Sequence, residues 1–300
     1  MSAPFVHLHV HSEYSILDGA CRIPALAKKA AALEMPAVTL TDHGSMAGTV
    51  ELFKAAKAEG VKPIVGCEVY VVDDRHKQHK GHAHLTLLAA DQTGYGNLIK
   101  LCSLGYLEGY YYKPRVDWEL LAQNAKGVIA LSGCLSGRVN KALERHAPDE
   151  AEGELKRLTD IYGRDNVYVE LQDAGLEVQS QLKPKLVELA KRVGLPTVVT
   201  GDVHYLRHED ARAHEALLCI QSGDSLSNPN RWRFETDQFF FHVCPFCARY
   251  TKDVDRGKVE AFKGGGHDCS PLPGDRTMTA GEEARFTYNG LRNMRGVAVL

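Results

Sequence analysis

Short apolar, strand-like runs alternate along the chain with longer segments rich in good helix formers. Strands that alternate with helices form βα units and a parallel sheet, so this pattern predicts an α/β fold. The strand-like runs are 6–10, 37–40, 64–72, 84–89, 128–131, 167–171 and 197–200. The helix-like segments between them are 23–33, 45–59, 97–108, 118–124, 149–162 and 178–193.

Side chains of the metal-binding type recur where these apolar runs end. Ligands at the ends of successive strands meet in space only if the strands run parallel and share one rim, which is the geometry of a β/α barrel. The sequence therefore predicts a barrel with a metal site at the C-terminal rim of its strands, to which a carboxylate in the loop after the first run can be added. The residues are His9, His11, Asp18, Asp42, His43, Glu68, Cys134, Asp202 and His204.

The spacing and types of these side chains indicate which ions they suit. His9 and His11 are two residues apart on a predicted strand, so both imidazoles project from the same face and can hold one ion or bridge two. Mixed nitrogen and oxygen ligands suit Zn²⁺, Mn²⁺ or Fe²⁺ better than Mg²⁺ or Ca²⁺. Several carboxylates among several histidines can hold more than one ion. Such a site binds phosphate oxygens and activates a bridging water, so it predicts phosphoester hydrolysis.

Four residues close to these positions receive different assignments. His7 shares the alternation of the two histidines that follow it, and we expect it behind the ligands or partly buried. Cys67 faces away from the neighbouring carboxylate and is expected in the core. Glu170 is a candidate acceptor that orients a ligating imidazole. His84 begins its apolar run instead of ending it, so the position rule does not place it.

Composition narrows the class of protein further. The 300 residues are 44% hydrophobic and 25% charged, which is typical of a globular chain large enough for a full barrel. The formal net charge of −2 argues against a protein that coats nucleic acid through bulk positive charge, so phosphate binding must be local. The eight cysteines form no dense disulfide framework, and the first residues lack the features of a signal peptide. We therefore expect a cytoplasmic protein without membrane partners.

Several sequence words together carry a family resemblance. From residue 5 to about residue 240, the chain resembles the N-terminal polymerase-and-histidinol-phosphatase (PHP) domain of bacterial DNA polymerase III alpha subunits. The matching words are HLHVHSEYS at 7–15, LDG at 17–19, LTDHG at 40–44, GCE at 66–68, LSGCLSG at 131–137, ELQD at 170–173 and GDVHY at 201–205. They are ordered and are spread over most of the chain.

This resemblance implies a distorted, TIM-like barrel of seven strands with a centre of two to three divalent ions, Zn²⁺, Mn²⁺ or Fe²⁺. It also implies that His84 is a ligand. Within the set, Asp202, His204, His43 and Glu68 would act in catalysis through a metal-activated water. The full ligand set that the resemblance implies is His9, His11, Asp18, His43, Glu68, His84, Cys134, Asp202 and His204.

The resemblance further implies a metal-dependent 3′–5′ exonuclease that proofreads DNA during replication. Its partners would be the primer 3′ end, the remainder of the polymerase and other replisome subunits. The resemblance also implies that the polymerase palm, with its catalytic carboxylates, lies beyond residue 300, so this chain by itself is not expected to polymerise DNA. Two alternatives remain: a free-standing phosphomonoesterase of the histidinol-phosphatase kind, and a non-catalytic scaffold for the polymerase.

Candidate DNA contacts are less sharply defined. Arg115, Arg138 and Arg207 lie near the predicted strand-end loops and are candidates to steer the DNA backbone, although surface charges that are merely solvated explain them equally well. Tyr14, close to the first ligands, is a candidate to stack on the terminal base or to pack the mouth of the barrel.

The last part of the chain departs from the family pattern. We expect a PHP domain over residues 1–241, whose segment 220–241 begins the link to a polymerase palm, and a loop-rich or disordered tail over 242–300. The tail contains four residues that superficially suit a structural zinc site, but the second half of the set has unusual spacing and incidental cysteines are the alternative. They are Cys244, Cys247, His267 and Cys269.

Overall fold

A computed structural model describes residues 5–242, which form an α/β domain around a 7-stranded sheet. The predicted fold class is confirmed. The strands are β1 (Ala37–Leu40), β2 (Lys62–Val72), β3 (Ala83–Ala89), β4 (Arg115–Asp117), β5 (Val128–Leu131), β6 (Val167–Gln172) and β7 (Thr197–Thr200). The α-helices are α1 (Ile23–Ala32), α2 (Thr49–Ala58), α3 (Gln92–Leu107), α4 (Trp118–Gln123), α5 (Arg138–Glu144), α6 (Pro148–Tyr162), α7 (Glu177–Val193) and α8 (Ala211–Ser222).

The sheet is mainly parallel, but one strand runs the other way. Its order is β1-β2-β3-β5-β6-β7, and β4 pairs with the far end of β2. The expectation that all strands are parallel is wrong for β3, which is antiparallel to both β2 and β5. Two neighbouring strands can run parallel only if a crossover connection, usually a helix, joins them. The loop 73–82 joins β2 to β3 without a helix, so the two strands are antiparallel. The start of β3 therefore lies at the rim where the parallel strands end.

The first segment closes the gap between the two ends of the sheet. Residues 6–10 are not a regular strand as predicted, because this segment shares its hydrogen bonds between two neighbours. The amide of His11 donates to the carbonyl of Val203 beyond β7 (2.7 Å), and the amide of Thr41 beyond β1 donates to the carbonyl of Val10 (2.9 Å). The Val10 amide donates a hydrogen bond to the Thr41 hydroxyl oxygen at 2.9 Å. The result is a distorted barrel closed by an irregular segment.

Side chains on the two faces of the sheet form separate cores. On β2, Ile64 shares a face with Glu68 and packs inside the barrel below the predicted site, whereas Val65 and Cys67 face the helices. The expectation that Cys67 is a core thiol is confirmed, since its side chain is fully buried against the α3 side. The inner cluster comprises Val6, Leu8, Ala37, Ile64, Leu88, Ile129, Leu131, Tyr168 and Val198.

Several element boundaries differ from the predicted segments for local reasons. The α3 helix begins at Gln92 instead of residue 97, because Asp91 caps it by accepting a hydrogen bond from the Gly94 amide at 2.8 Å. The 7-residue α5 and the 3-residue β4 were not predicted, since such short elements show little periodicity. The α8 helix was missed because its buried face includes His214, which does not count as apolar in the pattern.

Arg115 on β4 holds two loops together. Its side chain is 2% exposed and donates to the carbonyl oxygens of Gly109, Lys77, His79 and Arg75 at 2.8 to 2.9 Å. The first of these carbonyls precedes β4, and the other three belong to the loop between β2 and β3. Because its guanidinium is buried and occupied, the hypothesis that Arg115 contacts DNA is wrong. Arg115 is a structural residue.

We expect Arg115→Met to lower the free energy of unfolding by about 3 kcal/mol, because four carbonyl groups lose their donor in a buried setting. Urea denaturation followed by circular dichroism measures this change. The matched control is Arg207→Met, whose side chain is 60% exposed and should cost about 1 kcal/mol or less. Equal effects of the two substitutions would contradict the role assigned to Arg115.

Candidate metal centre

The predicted ligands converge on one rim of the barrel. Two come from the first segment and one from the loop after it, and four lie just beyond the ends of β1, β5 and β7. Glu68 lies inside the long strand β2, opposite His43. His84 is the second residue of β3. Because β3 is antiparallel, its start lies where the neighbouring strands end, which brings His84 to the same place. The structure thus explains the one residue that the strand-end pattern left unplaced.

Three overlapping groups of side chains have the spacing of metal ligands. Within each group the candidate ligand atoms lie within 4.8 Å of one another. Because His11 and Glu68 each belong to two groups, the three form one continuous cluster. The groups are His9, His11 and Asp202; His11, His43 and Glu68; and Glu68, His84 and Cys134.

Asp18 and His204 border this cluster. The Asp18 Oδ2 atom is 3.1 Å from His43 Nε2, and the His204 Nε2 atom is 3.3 Å from Asp202 Oδ1. His204 Nδ1 donates to the carbonyl of Asp18 at 3.0 Å, so the ring, when neutral, would present the lone pair of Nε2 to the cluster. The structure therefore brings all nine predicted positions together, and their role as ligands stays a prediction.

Several buried polar atoms in the cluster make no hydrogen bond, although such atoms usually cost about 1–3 kcal/mol each. The His43 Nδ1 and Glu68 Oε2 atoms, for example, lie 2.8 Å apart without making a hydrogen bond of good geometry. A bound cation would satisfy these atoms, and their nitrogen and oxygen character fits Zn²⁺, Mn²⁺ or Fe²⁺. The atoms are His9 Nε2, His11 Nε2, Asp18 Oδ1, His43 Nδ1 and Glu68 Oε2.

The charges of the cluster compensate one another. Burial would raise the pKa of Glu68, but the imidazoles of His84, His9 and His43 hold it well below its usual value. Burial would lower the pKa of His43, but Glu68 and Asp18 raise it to about 10. Protons on imidazoles therefore occupy, in the metal-free protein, the place that a cation would take. Cation binding should release protons for this reason.

Asp202 has an unusual backbone conformation. Its φ is +47°, in the left-handed region that residues other than glycine rarely adopt. The hydrogen bond from the Val203 amide to the carbonyl of His9 (3.1 Å) holds the following residue in place. In this conformation the Asp202 carboxylate lies 3.4 Å from His9 Nε2 and 3.3 Å from His11 Nε2. Local strain at a candidate functional residue is a common feature of active sites.

Two carboxylates beside the cluster act on its histidines and loops. Glu170 Oε1 accepts a hydrogen bond from His9 Nδ1 at 2.7 Å, which is the orienting contact that the sequence suggested. Asp42, by contrast, accepts from the amide and hydroxyl of Ser12 (2.6 and 2.8 Å) and from the hydroxyl of Ser15 (2.9 Å). It therefore holds the first loop and is in none of the three groups. Ser15, which also pairs with an imidazole nitrogen of the cluster, was missed because serine carries no ligand signal.

His7 has no place among the candidate ligands. It is fully buried rather than partly buried, and its Nε2 atom pairs with the carbonyl of His242 at 2.6 Å. The alternation rule fails here because the first segment bends at residues 8 and 9. Burial lowers the pKa of His7 to about 4.

The other candidate DNA contacts have partners within the protein. Arg138 donates to Asp73 at 2.7 Å, and the exposed Arg207 pairs with Asp210 at 3.2 Å. The Tyr14 hydroxyl donates to a carboxylate of α2. Their proposed role in DNA binding stays a prediction.

The tail from residue 243 onwards, with Cys244, Cys247, His267 and Cys269, lies outside the described residues. Within residues 5–242, no helix is long and apolar enough to cross a membrane.

Comparisons with known proteins identify a family and relatives of similar sequence. A family model for the PHP domain matches residues 7–174. The DNA polymerase III subunit alpha of Treponema pallidum is 47% identical over 242 residues, which cover 79% of this chain and 21% of that protein. The corresponding protein of Thermus aquaticus is 46% identical over 245 residues, with coverage of 79% and 20%. The chain thus spans about a fifth of the length of these relatives.

Solved structures offer a weaker likeness. A metal-dependent phosphoesterase from Bifidobacterium adolescentis superposes with a TM-score of 0.44 at 15% identity, covering 67% of this chain and 89% of that one.

We expect Glu170→Gln to weaken the binding of Mn²⁺ or Zn²⁺ by about 10- to 100-fold, because the amide no longer fixes the imidazole of His9 as the carboxylate does. Isothermal titration of protein first treated with a chelator measures the affinity. Glu188→Gln makes the same chemical change at an exposed position of α7 and should leave the affinity unchanged. An unaltered affinity in the Glu170 variant would show that this contact does not support metal binding.

The pKa of His7 predicts a loss of stability in acid. A histidine whose pKa falls from 6.5 to about 4 on folding binds more protons when unfolded, so its neutral form favours the folded state above pH 6.5. As the pH falls from 7 to 5, the metal-free wild type should lose about 1–2 kcal/mol more than His7→Gln. Urea denaturation at both pH values gives this difference, with His76→Gln as an exposed control. Equal losses in wild type and His7→Gln would refute the assignment.

Proposed function

Because the chain belongs to the PHP domain family, we propose that it is a metal-dependent phosphoesterase domain of a bacterial replicative DNA polymerase. Its reaction would be the 3′–5′ exonucleolytic removal of nucleotides in proofreading. The observation that supports this most directly is the set of buried imidazole and carboxylate atoms that lack hydrogen bonds. The cytoplasm, the primer end and the other replisome subunits are the location and partners that go with this function.

The three overlapping groups would hold two to three ions, which when bound lower the pKa of a water and offset the charge of a phosphodiester. The protein's own contribution is to fix the ligands: Glu170 sets the tautomer of His9, and the Asp18 carbonyl does the same for His204. The reaction adds water across the terminal bond between phosphorus and O3′. Its products are a nucleotide 5′-monophosphate and a strand with a new 3′-hydroxyl.

Exposure indicates the side from which a strand end would reach the cluster. The side chains of His9, His11 and Glu68 are 0–1% exposed and form the floor. Those of Asp18, His43 and Asp202 are 13–15% exposed, and that of His84 is 17% exposed, so they form the accessible edge. This small opening suits the end of a strand better than the middle of a duplex.

Two other functions are less well supported. A free-standing phosphomonoesterase is disfavoured because the sequence matches polymerase subunits over 79% of the chain. A non-catalytic scaffold is disfavoured because all nine positions of the candidate centre carry side chains of the ligand type. The domain limits of 1–241, with a distinct segment from 242 to 300, belong to the same proposal.

The test is hydrolysis of an end-labelled primer–template with a 3′ mismatch, in Mn²⁺ or Zn²⁺. Wild type should shorten the primer stepwise, and Asp202→Ala/His204→Ala should be slower by about 100-fold or more. The matched control is His208→Ala/Asp210→Ala, which removes the same two residue types from the surface turn next to α8 and should retain activity.

Other outcomes identify the alternatives. Hydrolysis of histidinol phosphate without shortening of the primer would favour the phosphomonoesterase. Stoichiometric metal binding without hydrolysis of either substrate would favour the scaffold. Shortening that persists unchanged in the Asp202→Ala/His204→Ala protein would place the nuclease activity outside the candidate centre.

A further inference from the structure

Exposed aromatic side chains are concentrated at the end of α3 and in the loop that follows it. We define the tyrosine surface as Tyr106, Tyr110 and Tyr112, which are 52%, 60% and 63% exposed. The rings of Tyr106 and Tyr110 are nearly parallel, with 6.0 Å between their centroids and 16° between their planes. Flat aromatic faces in contact with water are the usual platform for nucleobases, because every base can stack on them.

The loop that carries these rings has a defined conformation. The φ of Tyr112 is +61°, a left-handed value for a bulky residue, and the Tyr111 amide donates to the carbonyl of Lys113 at 3.1 Å. The base of the loop is closed by Arg115, whose Nε donates to the carbonyl of Gly109 at 2.8 Å. A loop ordered in this way loses little conformational entropy when a ligand binds.

Positive charges are interleaved with the rings. The Lys80 ammonium lies 4.4 Å from the centroid of the Tyr112 ring, and the Lys113 ammonium lies 5.2 Å from that of Tyr70. Lys80 belongs to the loop between β2 and β3, so its contact with Tyr112 joins this loop to the one that carries the rings. Arg115 joins the same two loops through its hydrogen bonds to their carbonyl groups. Lys80 therefore lies beside an exposed ring of the tyrosine surface, and Lys113 lies beside the buried Tyr70 behind it. Both cations are close enough to the rings to meet the phosphates that alternate with bases along a single strand.

The tyrosine loop adjoins the accessible edge of the candidate centre. The Tyr70 ring is stacked on that of His43 with 5.7 Å between centroids and meets the His84 ring edge-on at 5.3 Å. Pro114, at the end of the loop, packs against Gly44, where an added Cβ would lie 2.6 Å from its Cγ. The loop that carries Tyr110 and Tyr112 therefore ends beside Gly44, the residue that follows His43.

We propose that the tyrosine surface, with Lys80 and Lys113, binds the unpaired nucleotides of a DNA 3′ end by stacking and so delivers the terminal phosphodiester to the candidate centre. This inference rests on the proposed nuclease function and names the site that holds its substrate. Single-stranded DNA is the occupant because cations sit beside the rings, as a phosphate backbone requires.

The test measures binding separately from hydrolysis. The probe is a fluorescein-labelled oligothymidine of about twelve nucleotides with phosphorothioate linkages, added to the whole chain in Mn²⁺ and followed by anisotropy. Tyr110→Leu should raise Kd by about 5- to 100-fold, since each stacked base contributes about 1–3 kcal/mol. Tyr110→Phe keeps the ring and should bind like wild type. Ile220→Ala, at an apolar position of α8 that is 79% exposed, is the control for general surface effects.

Hydrolysis provides the second measurement. With an unmodified primer carrying unpaired 3′ nucleotides, Tyr110→Leu should raise KM with little change in kcat, because the ring holds the strand and not the reacting atoms. A Kd in Tyr110→Leu equal to that of wild type would overturn the proposal, as would equal weakening by Leu and Phe. Absence of binding by wild type would overturn it too. If the probe binds as expected but no primer is shortened, the nuclease function fails while the binding surface stands.

Discussion

The rim of the barrel is built around one buried carboxylate. Glu68, on β2, has 1% side-chain exposure, and the imidazoles of His43 and His84 approach its oxygens at 2.8 and 3.1 Å. The thiol of Cys134 reaches the same carboxylate at 3.4 Å. Because a buried charge is costly unless it is paired, the ends of β1 and β5 and the start of β3 must meet at this point. The candidate centre and the closure of this side of the barrel thus depend on the same contacts.

The direction of β3 shows what a hydrophobic pattern can and cannot predict. Periodicity identified its apolar residues correctly, because that pattern reports which residues face the core. The periodicity does not show in which direction a strand runs. The position of His84 at the start of β3 could therefore not be assigned to the rim before the antiparallel pairing of β3 was known. The positions of His43, Cys134, Asp202 and His204 followed from the strand-end rule, because β1, β5 and β7 end where parallel strands should. Glu68 departs from the rule because it lies inside the longer strand β2, opposite His43.

The residues that the sequence misjudged are those whose partners are distant or belong to the backbone. Arg115 and Arg207 look alike in sequence, yet one is surrounded by four carbonyls and the other is 60% exposed. Asp42 was grouped with the ligands because it follows β1, but the loop amide and hydroxyls of Ser12 and Ser15 take up its oxygens. Only the folded chain shows which carbonyls and amides lack other partners, so no local pattern separates these cases.

The distribution of charge bears on how a chain with a net charge of −2 could select the end of a DNA strand. Arg115 is occupied by carbonyls and adds no free cation at the mouth, whereas Arg138 pairs with the exposed Asp73 and stays a candidate contact. The proposed surface instead places Lys80 and Lys113 over tyrosine rings. Because a broad basic face attracts any duplex, whereas a few cations among aromatic rings favour unstacked bases, the proposed surface would bind a frayed 3′ end in preference to a duplex.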